Sequence, residues 1–126
     1  MSEKEYHQFY HDCQAAIIFL TEQRGGIAVA ALHHHTLGDI DLVWGREGDE
    51  RNKGHGLAKI IKFHPEVVDG MQEIFNRMIL IKYKGEKGFD ISDKNKKYIA
   101  TVRINYYGKD RRWLMTMFQK NKAPKK

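Results

Sequence analysis

The stretch Tyr98-Ile-Ala-Thr-Val-Arg-Ile-Asn-Tyr-Tyr107, followed by Gly108 to Arg111 and by Arg112-Trp-Leu-Met-Thr-Met-Phe-Gln119, decides the fold class. In its first half Tyr98, Ala100, Val102, Ile104 and Tyr106 alternate with Ile99, Thr101, Arg103, Asn105 and Tyr107, the period-two pattern of a half-buried strand. Gly108 to Arg111 has the composition of a hairpin loop, and Arg112 to Gln119 is the returning strand. Pairing Tyr107 with Arg112 sets Arg103 opposite Thr116, and a register change of two leaves them diagonal neighbours on one face. Ile79 to Tyr83 and Phe89 to Ile91 are two more strand candidates, so the last third reads as an antiparallel sheet.

Ahead of that sheet the periodicity changes. Leu57, Ile60, Ile61 and His64 recur at helical spacing, and Pro65 disfavours helical geometry at His64, so His64 sits at a helix end. A second helix is expected from about Glu66 to Met78, with Val67, Met71, Ile74, Phe75 and Met78 inward. Gly45 to Gly56 is a polar loop that could act as a flap. Asp39 to Trp44 reads as a strand with Ile40, Leu42 and Trp44 on one face and Asp39, Asp41 and Val43 on the other; residues 27–33 read as a shorter buried strand. Residues 2–24 read as a helix opened by a Ser2/Glu5 capping box, striped by Tyr6, Tyr10, Cys13, Ile17 and Leu20, and ended by Gly25-Gly26. The order of helix, short strands, helices and then sheet is that of an α+β domain, expected over residues 1–119 with a basic tail at 120–126.

At 126 residues, 41% hydrophobic and 30% charged, the chain can bury a core and is neither disordered nor collagen-like. Its longest apolar run near the start, Ala15 to Leu20, is too short for a membrane span, and no signal peptide is visible, so a cytoplasmic site of action is expected. The single cysteine, Cys13, excludes an internal disulfide and a multi-cysteine zinc site. Net charge is +6. All of the excess lies in residues 109–126, where Lys109, Arg111, Arg112, Lys120, Lys122, Lys125 and Lys126 face Asp110 alone. Such a basic stripe points to a polyanion, usually nucleic acid; a solvated lysine tail is the plainer reading of its last residues.

Three blocks occur in order: Gly38-Asp-Ile-Asp-Leu-Val-Trp-Gly45, Gly56-Leu-Ala-Lys-Ile-Ile-Lys-Phe-His64 and Trp113-Leu-Met-Thr-Met-Phe118. Together they resemble the phage-associated barnase/EndoU/colicin/RelE-like nuclease group, over roughly residues 15–119. The first block is the most specific part. Phe63 before the histidine, and Met115 and Met117 in the closing block, depart from that pattern. The resemblance implies N-terminal helices packed on a roughly four-stranded antiparallel sheet. It also implies a metal-independent endoribonuclease without a cofactor, a toxin cutting tRNA or other RNA. Carried over by position, it singles out His64, Arg103 and Thr116, with Asp39 and Asp41 in the acidic positions of the first block.

Cutting RNA without a metal needs a base for the ribose 2′-OH, an acid for the leaving 5′-oxygen and cations for the phosphorane. Imidazole suits the proton roles, which His64 and His55 could fill. A guanidinium suits the phosphate, and Arg103, Lys59, Arg111 and Arg112 are the candidates. Thr116 could hydrogen-bond a phosphate oxygen, Asp41 could touch substrate, and Tyr98, Tyr106 and Tyr107 could stack bases. Each has a structural alternative: a capping His64, a solvated loop His55, an exposed strand Arg103, an Asp39/Asp41 pair bound to arginine, and core-anchoring Trp44 and Trp113. Neighbours among His33-His34-His35 point to opposite faces of a strand, and His7/His11 lacks supporting ligands, so no metal site is expected. Two other functions stay open: an RNA-binding module without catalysis, and an ADP-ribosyltransferase-like toxin, for which Gly54-His-Gly56 is a weak phosphate loop. A nuclease toxin also calls for an acidic immunity protein or antitoxin over its basic groove.

Overall fold

The computed structural model describes residues 3–48 and 54–120. The basic tail beyond Lys120, the serine of the Ser2/Glu5 capping box and the centre of the Gly45–Gly56 loop lie outside the described residues. Among the described residues the strands are β1 (Glu5–Tyr6), β2 (Ile27–His34), β3 (Gly38–Val43), β4 (Leu80–Tyr83), β5 (Phe89–Ser92), β6 (Tyr98–Tyr106) and β7 (Lys109–Gln119). The helices are α1 (Cys13–Gln23), α2 (Gly56–Phe63) and α3 (Met71–Asn76). All the strands join one sheet, in the order β1-β2-β3-β7-β6-β5-β4.

This corrects the expected architecture, although the class remains α+β. The sheet is seven-stranded and mixed, not four-stranded and antiparallel. β1 runs parallel to β2, and β3 runs parallel to β7 through Asp41 opposite Trp113. The antiparallel run β4 to β7 is only its second half. The short apolar strands β2 and β3, each carrying a buried face, have to be covered, and they are added to the edge of that run through β7.

The N-terminal segment is not one helix. Glu5 and Tyr6 extend along β2, and Tyr6 packs its ring edge-on to Phe19 at 4.6 Å. His11 takes a left-handed backbone conformation (φ 54°), which stops any helix running from the start of the chain. Asp12 then caps α1, its carboxylate accepting from Ala15 N at 3.4 Å. The helix ends one step earlier than Gly25-Gly26, at a left-handed Arg24 whose N–H reaches Leu20 O at 2.7 Å. The expected helix over Glu66–Met78 is likewise divided. Pro65–Val67 is a 3₁₀ turn, and Gly70 (φ 70°) starts α3 afresh. Its inward residues Val67, Met71, Ile74, Phe75 and Met78 are all buried, as their spacing implied.

The β6–β7 register also differs from expectation. The turn is two residues, Tyr107 (φ 50°) and Gly108 (φ 83°), so Lys109 is already in β7, opposite Tyr106. Two positive φ values in succession match the right-handed twist of the flanking strands. Two bulges on β7 then set Arg103 opposite Trp113 and Thr101 opposite Thr116. Arg103 and Thr116 are therefore diagonal neighbours on one face, not a directly opposed pair.

The main core joins Ala16, Ile17 and Leu20 of α1 to Ile40 and Leu42 of β3, Leu57 and Ile60 of α2, Phe75 of α3, and Ala100, Val102, Leu114 and Met117 of the hairpin. The other face carries a smaller cluster of Ile27, Val43 and Trp113, flanked by Val29, Tyr106 and Met115. Trp44 and Trp113 are both buried, one in each cluster.

Candidate active site

Strand alternation decides what the second face carries. Ala100 and Val102 enter the main core, so Thr101, Arg103 and Asn105 point the other way. Beside them, α2 runs along β7 in the same direction. At its start the His55 ring meets Trp113 edge-on at 5.6 Å, and at its end His64 meets Phe118 at 5.4 Å. Nine helical steps rise about 14 Å, and the five strand steps from Trp113 to Phe118 about 16 Å. The two histidines thus bracket a seam, with Lys59 on α2 between them.

A cleft of about 360 Å³ opens on this face, lined by Gly54, His55, Arg103, Asn105, Tyr106, Tyr107, Trp113 and Met115. A larger cleft of about 590 Å³ adjoins it and shares His55, Tyr106 and Tyr107. It is lined also by Arg46, Lys109 and Arg111 and by Glu3 and Glu5. His55 lies between the two.

His55 is held by its backbone, which exchanges hydrogen bonds with Arg46 at 2.9 and 3.0 Å, and by Gly45. A Cβ on Gly45 would stand 2.1 Å from the His55 carbonyl oxygen, so glycine is required for this approach. Burial lowers the His55 pKa first, and the charge of Arg46 lowers it further; Glu3 opposes, and Lys59 lowers it again. The imidazole is therefore neutral at pH 7 and able to accept a proton.

Arg103 makes no ion pair that would neutralise it among the described residues. Its Nη1 donates to the Met115 sulfur at 3.3 Å, a weak acceptor, and its Nε is buried without a hydrogen-bond partner among those residues. Thr116 Oγ1 is buried and unpartnered in the same sense. Buried polar groups are normally hydrogen-bonded, so two neighbouring ones without a partner on one face call for an explanation, and a bound ligand is one.

The other residues singled out by sequence divide. Lys59 is buried in the first turns of α2 and close enough to His55 to act on its charge. Tyr106 packs edge-on to Trp113 at 5.0 Å, and its hydroxyl donates to Glu3; burial, then that bond, raises its pKa. Arg111 is clamped between Asp41 and Glu5. Asp41 also accepts from Ala30 N at 2.7 Å, which holds a left-handed kink at Ala30 (φ 55°). Arg112 lies apart from the cleft, its guanidinium donating to Leu37 O. Asp39 pairs with His11 at 2.7 Å. His64, 8% exposed, caps α2, with Nδ1 3.8 Å from a Glu66 carboxylate oxygen. Tyr98 packs on the main core.

Arg46, Asn105 and the two N-terminal glutamates were not apparent as site residues from sequence. Arg46 sits in an aperiodic polar loop, and Glu3 and Glu5 fall in the stretch whose spacing reads as a helix. No group of three or more His, Cys, Asp or Glu is placed to hold a metal among the described residues. His34 is buried for a structural reason. Its Nδ1 accepts from Thr36 N and Leu37 N, so its Nε2–H donates to Met78 O at 2.6 Å.

No curated protein and no solved structure matches the chain. The model of one nuclease family matches residues 31–124, a span that includes α2, Arg103 and β7. That match spans most of the chain and takes in the face built by α2, β6 and β7, so this chain belongs to the phage Barnase-EndoU-ColicinE5/D-RelE like nuclease 1 family.

Proposed function

We propose that this nuclease is a metal-independent endoribonuclease working on the face that holds His55 and Arg103. The neutral His55 imidazole takes the proton of a ribose 2′-OH. The 2′-oxygen then attacks the adjacent phosphorus, the bond to the 5′-oxygen breaks with uptake of a proton there, and a 2′,3′-cyclic phosphate remains. Arg103 stabilises the added charge on the phosphorane, with Lys59 adding positive field and Thr116 donating from the diagonal position. The observation that carries this reading is the common cleft of His55 and Arg103, one a neutral base and the other a cation with no carboxylate partner among the described residues.

His64 stands at the far end of α2, about 14 Å along the helix axis from His55. Of the two rings, His55 is the one that lines the cleft with Arg103. Transfer RNA is the first substrate to test, and an acidic inhibitor protein covering the cleft is the partner expected of such a toxin. Cleavage of total tRNA in EDTA, lost in His55→Ala and Arg103→Ala, supports the proposal. Intact RNA at micromolar protein, with RNA still bound, supports the binding module instead.

A further inference from the structure

The larger cleft is occupied by the protein's own acids. Glu3 accepts from the Tyr106 hydroxyl, and Glu5 accepts from Nη2 of Arg111. Both glutamates come from the segment of β1, a two-residue edge strand. Arg111 is asymmetric in its restraint. Its Nη1 is held by Asp41, whose side chain is only 13% exposed; its Nη2 is held by Glu5, whose side chain is 42% exposed. Asp41 is fixed by the Ala30 N–H as well, whereas the other neighbour of the Glu5 carboxylate among the described residues is the exposed ring of His7 at 3.7 Å. The half of the guanidinium facing the cleft thus carries an exchangeable carboxylate.

Resting on the endoribonuclease reading, we propose that this half of Arg111, with Lys109 and the cleft wall at Tyr106, is a second phosphate subsite. It takes the phosphodiester next to the scissile one in single-stranded RNA, and Glu5 stands in for that phosphate in the free protein. The placement fits. His55 borders both clefts, and Arg111 lies two residues along β7 from Trp113, the partner of Arg103 in the sheet. Two strand residues span about 7 Å, the order of one nucleotide. A bidentate-capable guanidinium already oriented by a buried carboxylate is preorganised for phosphate. Binding RNA then requires Glu5 to leave Arg111, so β1 tunes affinity.

The test uses the full chain and an uncleavable 2′-O-methyl RNA octamer, with binding read by fluorescence anisotropy across a salt series. Glu5→Gln should bind about tenfold more tightly than wild type, with a salt slope steeper by about 0.7, one more phosphate contact. Glu22→Gln, the same charge change on α1, should shift affinity by less than about twofold. In the Glu5→Gln background, Arg111→Gln and the exposed Lys109→Gln should each remove most of the gain. Equal gains from Glu5→Gln and Glu22→Gln overturn the subsite, as does retention of the gain in both double variants. The octamer cannot be cut, so this outcome is independent of catalysis. A Glu5-dependent gain in a protein that leaves tRNA intact would retain the subsite and reject the endoribonuclease reading.

Discussion

His55 packs edge-on against Trp113 at 5.6 Å, and this contact places an imidazole beside Arg103, which pairs with Trp113 across the hairpin. One buried indole thus aligns a residue from a loop with a residue from a strand. Trp113 is itself fixed by donating Nε1–H to Asn105 O at 2.9 Å. The chemistry proposed above depends on that alignment, and the predictions follow from how it is held.

The His55 pKa is lowered by burial and then by Arg46. A lowered pKa keeps the ring neutral to a lower pH than an ordinary histidine. For a base the neutral form is the active one, so kcat/KM should fall only as pH drops below about 6.5, the ordinary histidine value. Arg46→Gln removes a lowering cause and should move this acid limb upward. A limb that stays in place, measured from pH 4.5 to 8, would separate the limb from His55.

Gly45 makes room for the His55 backbone at φ 69°. Gly45→Ala must move one of the two. It should cost roughly 1–3 kcal/mol of stability from backbone strain and lower cleavage more than tenfold in protein that remains folded. A variant with wild-type thermal midpoint and wild-type rate would show that the approach of Gly45 to His55 is not needed.

His34 gives a stability prediction away from the site. Its pKa is lowered by burial first, with the Met78 carbonyl opposing. The unfolded chain therefore binds a proton more readily than the folded one. Stability contributed by the neutral ring is complete above about pH 6.5 and is lost as pH falls from there toward the folded pKa. His34→Gln should lower the thermal midpoint at pH 7.5 by several degrees, because it cannot reproduce all three hydrogen bonds. It should also flatten the pH dependence of stability below about pH 6.5, as read by thermal unfolding at each pH.

Much of this was legible in the sequence because it rests on alternation. The strands β6 and β7, the opposite faces of Ile40 and Asp41, and the helix end at His64 follow from period and from Pro65. What escaped has specific causes. Tyr6, Tyr10 and Cys13 fall at helical spacing, yet a left-handed His11 and the cap at Asp12 interrupt them. Gly70 divided a periodic run for the same kind of reason. The sheet grew to seven strands because β3 meets β7 in parallel, a long-range pairing that leaves no local mark. The grouping of Arg103 with Thr116 survived the register error because parity, not the particular partner, sets the face. His55 and Arg46 came together through an isolated bridge between two ends of a loop, which no periodicity reports.

The most direct measurement is cleavage of total tRNA in EDTA by wild type, His55→Ala, Arg103→Ala and His64→Ala, each checked for a folded thermal transition. The account predicts cleavage by wild type, losses of at least about 100-fold in His55→Ala and Arg103→Ala, and a rate within about tenfold of wild type in folded His64→Ala. Full activity in His55→Ala with loss in folded His64→Ala would contradict it and move the chemistry to the Phe118 end of the seam.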